Sequence, residues 1–278
     1  MKKLLFIGSS GFVGKSFNDY FKRKKFFKII NYSRTEKKDI SQTTMLPESD
    51  YIIYCINNKN IKTSLKYFFH FKKLLYKNSK KPKILFFSSG AVYGPRSSKK
   101  KFSENEYINI NKYKKFIGYK KNYAKEKYLI EEEFRNIVKD GFKVSIARGF
   151  TFYGKHILNY DYLISNLISA AKSRKIFKIK NLNTIRSYMH ADDMCRWLVK
   201  ILNISSEKCP IVNLGSDKII DLKKFVNFLN KNFKSKIQLT KKASKKKDYY
   251  IPSIKFAEKH LKLKNTVNFN NAITLMIK

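Results

Sequence analysis

Tyr123 and Lys127 stand four residues apart within residues 121 to 139, a stretch that has the periodicity of a helix. Positions four apart share one face of a helix, so the Lys127 ammonium can lie near the Tyr123 phenol and lower its pKa. A phenol held in this way is suited to proton transfer. The spacing is common in a lysine-rich chain. It also occurs at Tyr20/Lys24 and at Tyr76/Lys80.

Three glycines, Gly8, Gly11 and Gly14, lie between an apolar run at Lys3 to Ile7 and the helical residues after Lys15. Glycine permits a tight turn, lets the backbone approach a pyrophosphate and allows the helix to pack on the strand, with the helix N-terminus aimed at the phosphates. This strand, turn and helix predict a dinucleotide site rather than an ordinary loop. The cofactor-binding residues predicted in the turn are Gly8, Ser10, Gly11, Phe12, Val13 and Gly14.

The end of the second predicted strand reads Asn31-Tyr32-Ser33-Arg34. An NAD enzyme places Asp or Glu here to bind the ribose 2′-hydroxyl. Because this chain has no carboxylate there, and because a guanidinium can hold a phosphate with two hydrogen bonds, we predict NADP, with Ser33 and Arg34 on its 2′-phosphate. NAD stays open, since Arg34 is also one surface cation among many.

The elements that must position these residues alternate between strand and helix, which predicts an α/β fold with a parallel sheet covered on both faces. We expect a Rossmann doubly wound sheet in residues 1–150 and a smaller C-terminal α/β lobe in residues 151–278, interleaved with it. The predicted strands are Lys3 to Ile7, Lys28 to Tyr32, Tyr51 to Ile56, Lys83 to Phe87 and Lys143 to Ala147, and the predicted helices are 15–25, 61–79 and 121–139. In the lobe we predict helices at Tyr162 to Arg174, Asp192 to Leu202 and Leu222 to Asn232, and strands at Lys175 to Ile179 and Ile211 to Leu214.

These motifs resemble the extended short-chain dehydrogenase/reductase superfamily, in its NAD(P)-dependent nucleotide-sugar epimerase/dehydratase family. The resemblance spans the Gly-x-x-Gly-x-x-Gly turn, the Tyr123/Lys127 pair on the helix after the fourth strand, and Ser88-Ser89-Gly90-Ala91-Val92-Tyr93-Gly94. It continues through residues 147–154 and 186–193, and so covers essentially the whole chain. The pattern is most similar to reductases of 4-keto-6-deoxy sugar nucleotides, such as abequose synthase-like proteins.

The resemblance implies roles residue by residue. The catalytic group is Ser89, Tyr123 and Lys127, in which the serine binds the substrate oxygen, the phenol transfers a proton and the lysine holds the nicotinamide ribose. Further cofactor-binding residues are Asp39 and Ile40 at the adenine, Asn57 and Ser88. The substrate-binding residues are Ser89, Ala91, Val92, Tyr93, Thr151, Asn166 and, on the diphosphate, Arg186. Thr151 replaces an asparagine of the family pattern, which leaves its substrate contact in doubt.

The residue types at Gly90 and Ala91 limit the set of reactions that the site can catalyse. Eliminating water from a sugar needs a general acid and a base at neighbouring carbons, and dehydratases of this kind carry acidic residues at these two positions. The two residues therefore disfavour dehydration and leave ketone reduction or 4-epimerisation. The resemblance implies reduction of a 4-keto-6-deoxyhexose nucleotide in surface polysaccharide precursor synthesis, with 4-epimerisation as the alternative. A relative that binds nucleotides or RNA without turnover is a second alternative.

The formal net charge of +41 would by itself suggest nucleic acid. Lysine is spread from end to end, however, together with abundant Asn, Ile, Phe and Tyr, so we expect no nucleic-acid partner. We also expect no membrane span, and the three widely separated cysteines indicate a reducing cytoplasm. We expect no metal, and we interpret His190 and Asp193 as structural residues. Relatives often dimerise through the tyrosine helix and its neighbour, which makes a homodimer an expectation.

Overall fold

Six parallel strands form the central sheet. Their spatial order is β10 (Ile211–Leu214), β5 (Lys143–Gly149), β4 (Lys83–Ser89), β3 (Tyr51–Tyr54), β1 (Lys2–Ile7) and β2 (Phe27–Tyr32). The structure is a computed structural model, and it describes residues 1–22, 24–35, 38–58, 60–116, 118–159, 162–179, 183–240 and 247–278. The predicted α/β fold class is confirmed, since the sheet is parallel and carries helices on both faces.

Helices cover the two faces of the sheet because successive strand residues point to opposite sides. Leu4 and Phe6 of β1 pack in the cluster that contains α1 (Phe12–Lys22) and α5 (Ala191–Asn203). Leu5 and Ile7 pack in the cluster that contains α2 (Ile61–Tyr76) and α3 (Lys120–Val138). Both clusters are fully apolar at their centres, so the strands read as continuous apolar runs, as buried parallel strands do.

Strand β10 and helix α5 belong to the central unit, although the sequence pattern assigned both to the C-terminal lobe. Val212 of β10 pairs with Ala147 of β5, and α5 packs on α1 and against β4 and β5. The chain thus returns from the lobe to add a sixth parallel strand, and the two predicted units are interleaved through this element. The division at residue 150 remains a prediction.

The lobe is built from short strand pairs beside the carboxyl ends of β4 and β5. In it β8 (Thr184–Ser187) pairs with β11 (Ile219–Ile220) and β13 (Asp248–Tyr250), β7 (Ile176–Ile179) with β12 (Lys236–Leu239), and β6 (Phe152–Tyr153) with β9 (Met189–His190). Its helices are α4 (Leu163–Ser173), α6 (Leu222–Phe233), α7 (Lys255–Leu261) and α8 (Phe269–Ile277). Of the helices in the described ranges, none combines the length and apolar character needed to cross a membrane.

Candidate active site

The glycine turn after β1 requires glycine at two positions. Gly8 has φ of +95°, and a Cβ there would lie 2.4 Å from the carbonyl oxygen of Cys55. A Cβ on Gly14 would lie 2.4 Å from the Ser9 backbone, where the first turn of α1 packs against the loop. The N-terminus of α1 is therefore held against the end of β1, with free backbone amides facing the turn.

A cavity of about 900 Å³ runs from this turn along α1 and the length of β2. Ser10, Lys15, Asn31 and Thr35 line it among others. Amide groups and an ammonium are suited to phosphate, so the turn and cavity fit the phosphate-bearing half of a dinucleotide. Arg34 is exposed beside Thr35 and is not among the residues that line the cavity. Lys15 is a cation that the sequence analysis missed, although its place directly after Gly14 is a usable signal.

The other residues predicted to bind the cofactor make contacts within the protein itself. Asp39 accepts a hydrogen bond from the backbone amide of Ser41 at 2.9 Å and caps a short 3-10 helix, Ile40–Gln42. Ile40 is buried in the core under α2. Ser33 is buried, with its hydroxyl 3.2 Å from that of Thr35. The cofactor contacts of Ser33, Asp39 and Ile40 remain predictions, as does that of Asn57, which is exposed after β3.

Three hydroxyl groups meet at the carboxyl end of β4. The Ser89 hydroxyl lies 3.3 Å from the Tyr250 hydroxyl, and it lowers the pKa of Tyr123 by hydrogen bonding to that phenol. Ser89 also accepts a hydrogen bond from the Ala91 amide at 3.2 Å, which fixes its position at the start of the 3-10 helix Gly90–Tyr93. Because strand β13 carries Tyr250 into the site from far along the chain, the sequence analysis missed this residue.

Lys127 lies one helical turn from Tyr123, as predicted, but its side chain turns toward the sheet. The Lys127 ammonium donates a hydrogen bond to the carbonyl oxygen of Ile56 at 2.7 Å and lies 5.7 Å from the centre of the Tyr123 ring. The prediction that Lys127 lowers the pKa of Tyr123 stays a prediction. Burial is the largest effect and raises the pKa of the phenol, and the group that lowers it is Ser89.

Several residues predicted to bind the cofactor or the substrate have side chains that are buried or that face the other side of the sheet. Ser88 precedes Ser89 on the same strand and so faces the opposite side of the sheet, where its hydroxyl donates to Glu131 at 2.6 Å. Val92 and Tyr93 are buried, because the 3-10 helix that follows Ser89 turns them into the core. The cofactor contact of Ser88 and the substrate contacts of Ala91, Val92 and Tyr93 stay predictions, and of these residues Ala91 alone is half-exposed. The side chains of Phe12 and Val13, two predicted cofactor-binding residues of the glycine turn, are also buried.

A buried ion pair supports the strand that carries Ser89. Arg148 of β5 donates to both oxygens of Glu131, at 3.0 and 2.7 Å, and both residues are almost fully buried. The Arg148 guanidinium also lies 4.8 Å from the centre of the Tyr93 ring. Together with the Ser88 hydroxyl, this network ties β4 and β5 to helix α3, which carries Tyr123. The fixed geometry of Ser89 and Tyr123 follows from it.

Arg186 reaches the same end of the sheet from β8. It donates to the Asp248 carboxylate at 2.6 Å and to the Asp248 carbonyl oxygen at 2.8 Å, and its guanidinium lies 5.4 Å from the centre of the Tyr250 ring. Arg186 therefore neighbours the hydroxyl cluster. The Thr151 hydroxyl donates to the Ser187 carbonyl oxygen, and Asn166 is half-buried on α4. Substrate contacts of Arg186, Thr151 and Asn166 remain predictions.

His190 and Asp193 both have hydrogen-bond partners in the surrounding backbone, which is consistent with structural roles. His190 caps α5 by accepting the Asp192 amide on Nδ1 at 3.1 Å. Asp193 accepts the backbone amides of Thr266 and Val267 at 2.9 and 3.1 Å. The carboxylate thereby anchors the segment before α8 to the start of α5.

Comparisons with known proteins agree with this geometry. The sequence model of the NAD dependent epimerase/dehydratase family matches residues 4–215. A comparison with curated proteins finds no match. Among solved structures, UDP-glucose 4-epimerase from Thermotoga maritima, with UDP-glucose, has a TM-score of 0.82 at 15% identity, over 99% of this chain and 97% of that one.

Two further solved structures are similar over the full length. RMD from Pseudomonas aeruginosa, complexed with NADPH, has a TM-score of 0.79 at 14% identity, over 100% of this chain and 96% of that one. dTDP-glucose 4,6-dehydratase from Bacillus anthracis, in complex with NAD, has a TM-score of 0.77 at 15% identity, over 100% and 96%. At these identities the structures show a shared fold.

Proposed function

The chain belongs to the NAD dependent epimerase/dehydratase family, and from this premise we propose that it is a reductase that uses NADPH to reduce the keto group of a nucleotide-linked sugar. The ketone is at C4 of a 6-deoxyhexose, in the synthesis of surface polysaccharide precursors. The observation that carries the proposal is the hydroxyl cluster of Ser89, Tyr123 and Tyr250. The two residues that follow Ser89 in the chain, Gly90 and Ala91, have no ionisable side chains.

Gly90 and Ala91 support a reaction other than dehydration. A Cβ on Gly90 would lie 2.6 Å from the ring of Phe150, which is buried and packs at a tilt against the Tyr250 ring. Neither residue carries a proton donor or acceptor on its side chain. Elimination of water needs both a general acid and a base near the reacting carbons, so a reaction that needs one proton donor fits this site better.

Reduction of a ketone requires a hydride at carbon and a proton at oxygen. The bound nicotinamide supplies the hydride. Ser89 would donate a hydrogen bond to the ketone oxygen, and Tyr123 would deliver its phenolic proton to the same oxygen. Burial raises the pKa of Tyr123, which keeps the phenol protonated at neutral pH and therefore able to act as the acid.

Two features support NADPH over NADH. The two residues directly after β2 are Ser33 and Arg34, with no carboxylate at these positions. The cavity next to them is lined by Lys15 and Thr35, and its carboxylate, Asp19, is paired with His156. A carboxylate would repel a 2′-phosphate, whereas cations and hydroxyls bind it. The RMD structure holds NADPH, while the dehydratase structure holds NAD, so this fold accommodates both.

The position of Arg186 supports a substrate that the protein binds through a nucleotide diphosphate group. The planar fork of Arg186 matches two phosphate oxygens at once. The guanidinium stands beside Tyr250, so a diphosphate bound to Arg186 would place the attached sugar near Ser89. UDP-glucose is the ligand of the similar epimerase structure.

A 4-epimerase is the second candidate, because it uses the same serine, tyrosine and lysine and because the epimerase structure is similar over the whole chain. An epimerase retains its cofactor through the cycle, whereas a reductase consumes NADPH. A binding relative without turnover is less consistent with intact Ser89, Tyr123 and Lys127.

The deciding experiment incubates the purified protein with NADPH and a panel of 4-keto-6-deoxy sugar nucleotides, and follows the loss of NADPH absorbance. We expect oxidation of NADPH in proportion to the sugar consumed, and no turnover by Tyr123→Phe, which still binds NADPH. Interconversion of 4-hydroxy sugars without net NADPH consumption identifies the epimerase instead. RNA binding that survives moderate salt, with no turnover of any nucleotide sugar, identifies the binding relative.

A further inference from the structure

Glu126 is a buried carboxyl group next to the predicted catalytic lysine. Both residues lie on α3 and are almost fully buried, with Glu126 exposed to 2% and Lys127 to 3%. The Lys127 ammonium lies 3.7 Å from Glu126 Oε1. A charged group is rarely buried without a partner, so each group compensates the other.

Polar groups on neighbouring elements enclose the Glu126 carboxyl. The Ser64 hydroxyl on α2 and the Asn58 backbone amide after β3 face it and lower its pKa, while burial, the larger effect, raises it. The Tyr54 phenol on β3 is buried without a hydrogen-bond partner and interacts electrostatically with Glu126. These hydroxyl and amide groups are donors, so they favour an acceptor at the carboxyl position.

The groups that face Tyr123 come from four elements. They are Ser89 on β4, Tyr250 on β13, Cys55 after β3, and Glu126 on α3 with Tyr119 directly before it. Burial raises the pKa of Cys55 to about 12, so this thiol is neutral at physiological pH. Lys127 is adjacent, as described above. Burial is the largest effect that raises the pKa of Tyr123, and the charge of Glu126, which is paired with Lys127, raises it further.

The direction of the reaction determines which protonation state of the Tyr123 phenol is useful. An uncompensated ammonium next to a phenol favours the phenolate, which is a base and suits the oxidation of an alcohol. A carboxylate paired with the ammonium cancels much of its field and favours the neutral phenol, which is an acid and suits the reduction of a ketone.

We propose that Glu126 is a positioning residue that offsets the charge of Lys127 and keeps Tyr123 as a neutral proton donor, and thereby directs the site toward reduction. This inference rests on the proposed reductase function. It assigns Glu126 no contact with the sugar or the nicotinamide, because this carboxyl is almost fully buried against Lys127.

The test replaces Glu126 by Gln, which keeps the size and removes the charge. The first measurement needs no turnover: the dissociation constants of NADP⁺ and NADPH are compared by calorimetry. The oxidised nicotinamide ring carries a positive charge, so an uncompensated Lys127 repels it. We expect Glu126→Gln to weaken NADP⁺ roughly tenfold relative to NADPH. The control, Glu132→Gln, alters a half-exposed carboxylate on the same helix and should leave the ratio unchanged.

The second measurement is the pH dependence of kcat for ketone reduction. We expect the alkaline limb, where the phenol loses its proton, to move down by about one pH unit in Glu126→Gln. An unchanged binding ratio and an unchanged pH profile would overturn the proposal. If the Gln variant does not fold, Glu126→Asp moves the carboxylate away from Lys127. That variant should change the ratio in the same direction by less, and no change would again overturn the proposal. Should no keto sugar be reduced, the proposed function fails, while the binding ratio still decides the role of Glu126.

Discussion

The hydroxyl of Ser89 lies 3.3 Å from the hydroxyl of Tyr250, although 161 residues separate them in the chain. The contact joins the end of β4 in the central sheet to β13 in the lobe. The Tyr250 ring also packs at a tilt against Phe150, with ring centroids 4.6 Å apart. The phenol is thereby held beside the Ser89 hydroxyl, where we propose that the ketone oxygen binds.

Tyr250→Phe should reduce kcat/KM for the keto sugar about two- to tenfold, because one neutral hydrogen bond to Ser89 or substrate is lost while the ring keeps its packing. Initial rates with NADPH measure the effect. Tyr249→Phe is the matched control, since neighbouring strand residues point to opposite sides. Equal rates for Tyr250→Phe and the wild type would show that this phenol does not assist the reaction.

Arg34→Ala should weaken NADPH about 10- to 100-fold and leave NADH unchanged, because a charge-assisted contact to the 2′-phosphate is removed. Fluorescence titration with both dinucleotides gives the two constants. Lys38→Ala, an exposed cation in the same loop, should have little effect on either. A parallel loss of NADH affinity would contradict a phosphate-specific role for Arg34.

Glu131→Gln should destabilise the protein by about 3–5 kcal/mol, because it leaves the buried Arg148 guanidinium without its counter-ion. The neighbouring Glu132→Gln breaks a partly exposed pair with Arg135 and should cost about 0–1 kcal/mol. Urea unfolding measures both free energies. Similar values for the two variants would mean that the buried pair adds little to the stability of β5 and α3.

His190 gives the protein a pH-dependent stability. Burial lowers the pKa of His190 below its ordinary value of 6.5, and its neutral Nδ1 is needed to accept the Asp192 amide. The unfolded chain therefore binds a proton more readily than the folded one. Stability is constant above pH 6.5 and falls as the pH drops from there toward the folded-state pKa.

His190→Asn keeps a cap that does not titrate. Thermal unfolding at a series of pH values should show a shallower loss between pH 7 and pH 5 in this variant than in the wild type. If the two slopes coincide, the titration of His190 does not contribute.

The sequence predicted the parts of the site that depend on neighbours along the chain. The glycine turn, the Tyr123/Lys127 spacing and the five strands up to β5 follow from short patterns of apolar residues and glycine. The prediction ended β4 at Phe87, whereas the strand runs to Ser89. Had the strand been extended, its alternation would have placed Ser88 and Ser89 on opposite faces.

The missed parts depend on pairing between distant segments. Tyr250 and Asp248 enter the site because β13 pairs with β8, and nothing local to residues 248–250 specifies that partner. Likewise, β10 joins the sheet beside β5 after more than sixty intervening residues. The charge partner of Arg148 is Glu131, which is separated from it by the end of α3, and single-sequence patterns do not identify such pairs.

The pairing of β8 with β13 also bears on how the protein is made. The first five strands of the sheet come from the N-terminal half of the chain, whereas α5 and β10, which complete the central unit, are made later. The glycine turn, Ser89 and Tyr123 belong to the part made first, while the phenol of Tyr250 and the partner of Arg186 come only with residues 248–250. Under the proposed function, the residues that bind the dinucleotide are therefore synthesised well before those that complete the pocket for the ketone.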